Sequence, residues 1–349
     1  MRSKKQAFLI ITLLAVLLVG AMFLASALGA VSIPPADIVR MSLNKLPFIN
    51  LESTWQPAHE VIFFQVRLLR VAGGALIGAA LATAGVLFQG LLRNPLADPY
   101  IIGTSSGALV GTTVVVIFIP TTLSLWGFGI TSLAAFLGAL GAVFLVYNLA
   151  RVGSKTPVVS LVLAGFVVGA FFTAITWFIL SISGEFQHKL GAVFDFLIGA
   201  IRVGNWLQIA VSACLILGGI VLAQFFAFRL NAFSLGEESA AYLGINVERD
   251  KLLILGLGSL LTAYAVCLGG LIGFVGLVTP HAMRLVLGPD HRLLLPAAAL
   301  AGAAFLVLAD LGARIIFAPT ELRLGILTAL IGAPFFIYLL RRYRKEYAF

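Results

Sequence analysis

Two ionisable residues lie inside an apolar stretch that predicts a membrane-spanning helix. Asp310 is the only clear acid deep within such a stretch, and Arg314 follows it one helical turn later. Ionisable groups inside a span are the first place to look for a proton or ion pathway. An aspartate and an arginine four residues apart can also form an ion pair. We interpret them as this pair and keep ion coupling through Asp310 as the alternative.

The chain has no residue pattern typical of an enzyme. It contains no G-x-x-x-x-G-K-[ST] phosphate loop, no H-x-x-x-H and no C-x-x-C. The four histidines are scattered, at positions His59, His188, His281 and His291. We interpret His281 as a hydrogen-bonded histidine at the membrane interface, and Cys214 and Cys267 as buried packing residues. The sequence therefore predicts no catalytic residue, no metal site and no cofactor.

Basic residues mark one predicted edge of the membrane. Arg67 and Arg70 precede the second predicted span, and Arg314 ends the ninth. Around an opening they would bind an acidic ligand or an acidic partner, mainly tuning its approach and orientation. Pairing with lipid headgroups is the alternative.

The polar insert from Arg229 to Lys251 predicts one short helix, at about 234–246. Ser234 is the predicted N-cap, with Glu237 three residues later as in a capping box, and Gly244 is the predicted stop. The helix has an apolar face and no lipid to meet. We expect this face to contact a partner subunit that supplies energy, with a solvated linker helix as the alternative.

The stretch from Arg67 to Gly111 predicts two helices joined by a polar elbow at 93–99. The motif Gly74-x-x-x-Gly78 predicts a seam where another helix approaches closely. The two prolines of the elbow forbid a continuous helix, and its Asn and Asp can satisfy the freed backbone groups. We expect the second helix to open near Tyr100 and to break at 103–107.

Loosened backbone inside a membrane needs protein or a water-filled cavity around it. We therefore place this motif near a polar path, with an ordinary close-packed helix pair as the alternative. The residues assigned to it are Gln89, Asn94, Pro95, Asp98, Pro99, Gly103, Ser105, Ser106 and Gly107.

The composition is that of a polytopic membrane protein. Of 349 residues, 61% are hydrophobic and 11% are charged, against about 25% charged in soluble domains. A span needs about 20 residues, so the length allows about ten spans within a single domain, 1–349. The net charge of +9 is interpreted as setting membrane orientation rather than as binding nucleic acid. The N-terminal apolar run is too long for a signal peptide and predicts a retained span.

Ten spans are predicted, at about 8–30, 62–92, 101–119, 130–150, 158–182, 206–228, 252–271, 273–287, 294–313 and 324–340. We expect a turn at 120–127, a surface segment at 183–205, and an interruption of the eighth span at Thr279-Pro280-His281. Of the 23 lysines and arginines, 15 fall on the side that holds both termini and 8 on the other. Both termini are therefore expected to be cytoplasmic.

The segment 74–95 resembles 258–280, and the span count makes the two cross in opposite directions. This echo fits an inverted repeat. Chance similarity between glycine-rich helices is the alternative.

Stretches spread over nearly the whole chain jointly resemble the FecCD-type permease family. They include Arg67-Leu-Leu-Arg70, RNPLADPYIIGTSSGA (93–108), LVLAG (161–165), SLGEESAAYLGI (234–245), GFVGLVTPH (273–281), GPDHR (288–292) and ELRLGILTALIGAPFFIYLLRR (321–342). Leu69 and Arg323 stand where the family usually has proline, which leaves the geometry of the rim open.

The resemblance implies the membrane subunit of an ABC importer for iron–siderophore complexes, haem or cobalamin. It implies an all-α, type II importer permease fold in a prokaryotic inner membrane. The implied partners are a second copy or a paralogous permease, two ATP-binding cassette subunits and an extracytoplasmic substrate-binding protein. No residue decides the substrate, and siderophore iron is our first expectation because it is common in the family.

The resemblance also assigns two sets of site residues. Arg67, Arg70 and Arg314 match basic positions that meet acidic residues of the binding protein. The residues matching the coupling helix that contacts the ATPase are Ser234, Leu235, Gly236, Glu237, Glu238, Ala240, Ala241, Leu243 and Gly244.

Overall fold

The computed structural model describes residues 4–29, 31–45, 48–49, 51–53, 55–119, 123–125, 127–184 and 186–342, and these are almost entirely helical. The helices are α1 (Lys4–Ala27), α2 (Pro35–Asn44), α3 (Pro57–Val61), a π-helix (Ile62–Arg67), α4 (Leu68–Leu91), α5 (Thr104–Phe118), α6 (Ile130–Ala150), α7 (Val158–Ile182), α8 (Phe186–Ile198), α9 (Trp206–Phe225), α10 (Ala227–Phe233), α11 (Glu237–Tyr242), α12 (Val247–Gly269), α13 (Val275–Leu287), α14 (His291–Ile315) and α15 (Leu324–Arg342).

Within the described residues, seven helices are long and apolar enough to cross a membrane. Three shorter apolar helices complete the set, Thr104–Phe118, Val275–Leu287 and Leu324–Tyr338. Together they match the ten predicted spans one for one, which confirms the all-α membrane fold.

The connection between α5 and α6 contains a small antiparallel hairpin, Ser124–Leu125 with Phe128–Gly129. Other parts of the predicted turn at 120–127 lie outside the described residues. So do Arg2, Arg344 and Lys345, which entered the orientation argument.

Helix α4 forms the centre of the bundle and is buried along most of its length. Its glycines let neighbouring backbones approach, because a side chain at Gly78 would collide with the backbone of Gly302 in α14. A side chain at Gly85 would collide with Gly276 in α13. The predicted glycine seam is therefore confirmed, with α14 as the helix that approaches it.

The neighbours α12 and α14 both run antiparallel to α4. On α12, Gly258 faces Phe88 while Gly269 faces Ile77. On α14, Gly302 faces Gly78, whereas His291 faces Gly90 near the other end of α4. The opposite directions of α4 and α12 agree with the crossing expected for the two repeat segments, and the inverted repeat itself stays a prediction.

Two helices keep most of their apolar side chains on the outside of the bundle. On α1, Phe8 and Val19 are exposed, and on α7, Val159, Phe166 and Phe178 are exposed. Such faces suit lipid or a neighbouring subunit, since a soluble protein rarely exposes large apolar patches.

The predicted surface segment at 183–205 contains helix α8, which is buried on one face and exposed on the other. It buries Val193 and Phe196, while Phe194 is 42% exposed. The backbone that follows it bonds to the end of α12, with Ala200 N donating to Gly269 O at 2.8 Å and Arg202 N donating to Leu268 O at 2.8 Å. The segment is therefore amphipathic, and its apolar face packs against the bundle.

Two predicted helix breaks are wrong. Helix α5 begins at Thr104 and continues through the Ser105-Ser106-Gly107 stretch. Helix α13 continues through Pro280. A proline ring conflicts with the carbonyl four residues earlier. Here that residue is Gly276, in the first turn of α13, which lies against Gly85 of α4.

Candidate functional site

The polar elbow between α4 and α5 is a fixed turn. Asn94 Oδ1 accepts a hydrogen bond from Leu96 N at 2.9 Å, and Asp98 Oδ1 accepts one from Tyr100 N at 2.8 Å. Gly103 ends the elbow in the left-handed region, at φ 78°, and α5 starts at the next residue. The local satisfaction of the backbone by Asn and Asp is confirmed.

The other residues of the elbow motif are divided between packing and a groove. Gln89 is buried and its Nε2 donates to Leu277 O at 3.4 Å, Pro99 contacts Gly276, and Gly107 meets the backbone of Gly138. Pro95 lines a separate small cavity beside Ser234. The structure therefore spreads the motif over several contacts.

Ser105 and Ser106 line a groove between α5 and α7. The groove encloses about 480 Å³, and its α7 wall includes Gly165, Gly169 and Thr173. Ile101, Val162 and Phe166 also line the groove, so most of its lining is apolar. The polar path at this motif therefore stays a prediction.

Burial changes the acidity of the elbow. It raises the pKa of Asp98 from 3.8 to about 6, opposed by the hydrogen bond from Tyr100 N. The structure thus disfavours the charged form of this carboxyl group relative to water.

The coupling segment, residues 234–246, is held rigidly at both ends. Helix α10 before it buries Leu230 and Phe233. At its far end Ile245 N donates to Ala240 O and Gly244 N to Ala241 O, with Gly244 at φ 79°. These paired bonds are a Schellman motif, so the predicted stop at Gly244 is confirmed.

The predicted capping box is wrong. Helix α11 begins at Glu237 with Gly236 as its N-cap, at φ 109° and with no side-chain cap. Ser234 instead caps the end of α10, and its hydroxyl donates to Asn231 O at 2.6 Å. The turn between the two helices needs the left-handed conformation that glycine adopts freely, so Gly236 rather than Ser234 defines the start.

The coupling segment presents large apolar side chains outward. Leu235 is 70% exposed, Tyr242 92% and Leu243 56%, whereas Ala240 is fully buried. Ala241 and Glu238 are exposed with them. A rigid backbone carrying exposed apolar groups at the end of the bundle is typical of a docking surface.

Beneath this surface lies what we call the lysine cluster, formed by Glu237, Glu248 and Lys251. Lys251 Nζ is 2.7 Å from Glu237 Oε2 and 3.1 Å from Glu248 Oε1. It also donates to Thr156 O at 3.3 Å. The cluster joins the coupling segment to α12 and to Thr156, two residues before α7.

At the opposite end of α4 lies the arginine cluster, formed by Arg67, Arg70, Asp310 and Arg314. The expected pair is confirmed, with Arg314 Nε 3.0 Å from Asp310 Oδ2. Arg70 Nε donates to the other oxygen of Asp310 at 2.8 Å, and its Nη1 donates to Glu321 at 2.8 Å. Asp310 thus lies between two guanidinium groups.

Two of these arginines also satisfy the end of α1. Arg67 Nη1 donates to Ala27 O at 2.8 Å, and its other amine bonds the carbonyl of Val31. Arg314 Nη2 donates to Ala25 O at 2.9 Å. The last carbonyls of a helix lack partners within the helix, so these side chains fix the end of α1. Both are buried, which leaves Arg70 as the most exposed of the three residues predicted for docking.

Several of these partners were not expected from the sequence. The i,i+3 spacing of Glu248 and Lys251 on one helix is a local pattern from which their ion pair could have been predicted. The contacts to Thr156 and Glu321 join distant segments, and no local pattern indicates them.

Two interpretations of single residues need correction. Cys214 is exposed rather than buried, and only Cys267 is buried. His281 is buried, and among the described residues neither of its ring nitrogens has a hydrogen-bond partner. Its ring instead meets Phe336 edge to face, with centroids 6.5 Å apart, because Pro280 leaves α13 intact and keeps the ring inside the bundle.

Known proteins match the chain over nearly its whole length. Residues 14–342 match the FecCD transport family. The chain is 40% identical over 332 residues to the cobalamin import system permease protein BtuC of Halobacterium salinarum, covering 90% of this chain and 87% of that protein. It is 36% identical over 349 residues to the hemin transport system permease protein HmuU of Yersinia pestis, covering 99% of each.

A solved structure gives the same result for the fold. It is described as an inward-facing conformation of a metal-chelate type ABC transporter and is 30% identical. It aligns with a TM-score of 0.79 over 96% of this chain and 99% of its own. By sequence and by fold, the chain belongs to the FecCD transport family, whose members are membrane permease components of ABC importers.

Proposed function

We propose that this chain is the permease subunit of an ATP-driven importer. It receives a large chelate from an extracytoplasmic binding protein and releases it into the cytoplasm, with both termini on the cytoplasmic side. Two separate subunits hydrolyse ATP. The observation that carries this proposal is the coupling segment, where large apolar side chains are exposed on a backbone held by glycine turns and by the ion pairs of Lys251.

In this mechanism ATP binding closes the two partner subunits onto the coupling segments of two permease subunits. The second permease is another copy of the chain or a paralogue. The groove at Ser105, Ser106 and Thr173 faces the path between them. A path lined by small residues binds its cargo weakly, which suits transport because a ligand held too tightly cannot leave.

Docking of the binding protein is proposed at the end of the bundle that carries the arginine cluster. Arg70 and Glu321 are partly exposed there. Arg323, which replaces the usual proline, pairs with Asp195 at 2.7 Å, and both side chains are nearly half exposed. Charges at such a rim would orient an acidic partner rather than supply most of the affinity. Arg67 and Arg314 support this rim from below.

The substrate we propose is an iron(III)–siderophore complex, with cobalamin or haem as alternatives. The similar proteins are named for cobalamin, hemin and, at 35% identity, Fe(3+) dicitrate transport in Escherichia coli. These names agree on a large chelate and differ on its identity.

The alternative of an ion-coupled transporter gains no support from the contacts of Asp310. Both of its carboxylate oxygens are already within 3.0 Å of arginine nitrogens. An ion or proton carried through this site would have to displace a buried guanidinium group.

Purification from native membranes in mild detergent tests the proposal. We expect an ATPase with a phosphate-binding loop to co-purify, and uptake into proteoliposomes to require ATP and the binding protein. The absorbance of that protein's ligand separates corrin, haem and siderophore. A folded chain that purifies alone and transports without ATP would contradict the proposal.

A further inference from the structure

Lys251 is a buried lysine whose partners lie on three separate elements. Its side chain is 5% exposed. Its ammonium group contacts Glu237 of α11, Glu248 of its own helix α12, and the carbonyl of Thr156, just before α7. An ammonium group has three hydrogen-bond donors, and this geometry gives each of them an oxygen partner. A buried ammonium group needs such partners because its desolvation is costly.

Glu248 completes a second connection to the same point. Its Oε2 accepts a hydrogen bond from Thr156 N at 2.8 Å, while its Oε1 faces Lys251. The backbone of Thr156 is therefore bound through both its N–H and its carbonyl group. Pro157 follows as the N-cap of α7, without a side-chain cap. The first turn of α7 is thus tied to α12 and, through Lys251, to the coupling segment.

The first turn of α7 also faces the polar elbow. Val158 and Val159 line a groove of about 520 Å³ together with Asn94 of the elbow and Ile101 beyond it. Val159 is 79% exposed. The segment is therefore bound on one side by the lysine cluster and forms a wall of this groove on the other.

We infer that Lys251 is the positioning residue through which movement of the coupling segment displaces the first turn of α7. This inference rests on the proposed function, because it takes an ATPase as the source of the movement. The lysine links Glu237 of α11 both to Glu248 and to the carbonyl of Thr156, whose N–H already bonds to Glu248. Lys251 therefore connects the carboxylate of α11 to the segment that precedes α7.

Distance measurements between spin labels test this inference directly. The labels replace exposed residues, at Ser239→Cys on α11 and Val159→Cys on α7, in a Cys214→Ser background that removes the exposed native thiol. In the wild-type chain assembled with its co-purified ATPase, ATP should move both labels together and leave their separation unchanged. In Lys251→Met the distribution should broaden, and ATP should change the separation.

Transport gives the second readout. Uptake per ATP hydrolysed should fall about tenfold in Lys251→Met, the size typical of coupling between two sites. ATPase association should remain, and Lys251→Arg should restore both the separation and the uptake. Lys155→Met is the matched control, because Lys155 is an exposed lysine next to Thr156 and lies outside the lysine cluster. Glu237→Gln, which removes the charge of the α11 carboxylate and so weakens only that link, replaces Lys251→Met if that variant does not fold.

The outcomes separate this inference from the proposed function. Unchanged label separation and unchanged uptake per ATP in both Lys251→Met and Glu237→Gln would overturn the inference. If the wild-type chain binds no ATPase, the proposed function fails. In that case the width of the label distribution without ATP still decides whether Lys251 positions α7, since Lys251→Met and Glu237→Gln should broaden it and Lys155→Met should not.

Discussion

The two charged clusters lie at opposite ends of the bundle and differ in what is buried. In the arginine cluster, the side chains of both Asp310 and Arg314 are no more than 5% exposed. In the lysine cluster, the cation is 5% exposed, but the side chains of Glu237 and Glu248 are 37% and 33% exposed. The Asp310–Arg314 pair is closed to water, whereas the lysine cluster is open on its acidic side.

This difference indicates that the two clusters have different roles although both are built from acidic and basic residues. Removing one partner of a fully buried pair strands a charge without water, which is strongly destabilising. A carboxylate that is one-third exposed can exchange its partner for water at much lower cost. The arginine cluster therefore suits a fixed support for α1, and the lysine cluster suits a link near the surface that moves together with the coupling segment.

The largest expected effect is that of Asp310→Ala. It removes the anion that faces the buried Arg314 and leaves Arg70 paired with Glu321, so the free energy of unfolding should fall by about 3–5 kcal/mol. Thermal unfolding in detergent measures this loss. Asp195→Ala is the control, because its pair with Arg323 is nearly half exposed and should contribute about 0–1 kcal/mol. Equal losses in the two variants would remove the basis for calling the arginine cluster a support.

Glu237→Lys, in contrast to Asp310→Ala, should affect transport more than stability. It places a second cation beside the buried Lys251, yet the new side chain can turn toward water. We expect a stability loss of about 1 kcal/mol and a fall of about tenfold in uptake per ATP hydrolysed. Wild-type uptake with this variant would contradict the proposed role of the segment in coupling.

Tyr242→Asp should leave the fold intact and weaken the partner contact. The side chain is 92% exposed, so the free energy of unfolding should change by no more than about 0.5 kcal/mol. Association with the ATPase should fall about tenfold, as expected when an interface tyrosine is lost. Titration of the purified subunits measures it, and undiminished binding would place the docking surface elsewhere.

The smallest effect concerns pH and lies outside both clusters. The raised pKa of Asp98, about 6 against 3.8, means that the folded chain binds this proton more tightly than the unfolded chain. Its contribution to stability should therefore decrease as the pH rises from about 4 to about 6. Asp98→Asn should remove that part of the pH dependence of thermal unfolding. An identical pH profile in this variant would contradict the assignment.

The spans were predictable because long apolar runs between polar breaks leave little choice in a membrane. The predicted bounds 130–150 and 158–182 coincide with α6 and α7. The errors arose where tertiary contacts override a local signal. Pro280 normally breaks a helix, but α13 continues through it, with Gly276 packed against Gly85 of α4.

The site was predictable in its location and less so in its geometry. The position of the coupling segment and the stop at Gly244 followed from composition and from a single glycine. The start was misplaced because Ser234 fits a capping box equally well, while Gly236 offered a competing signal for a left-handed turn. The partners of Arg70 could not be predicted, since Asp310 lies 240 residues away in the chain.

Uptake and ATP hydrolysis measured together in proteoliposomes that contain Gly244→Pro test the central claim most directly. Gly244 has φ 79°, which proline cannot adopt, and its N–H bonds to Ala241 O at 2.9 Å. The change should therefore unwind the end of α11 while the helices around it remain packed. We predict that the ATPase stays bound and hydrolyses ATP while uptake is lost. Uptake at the wild-type rate would contradict the claim that the coupling segment drives transport.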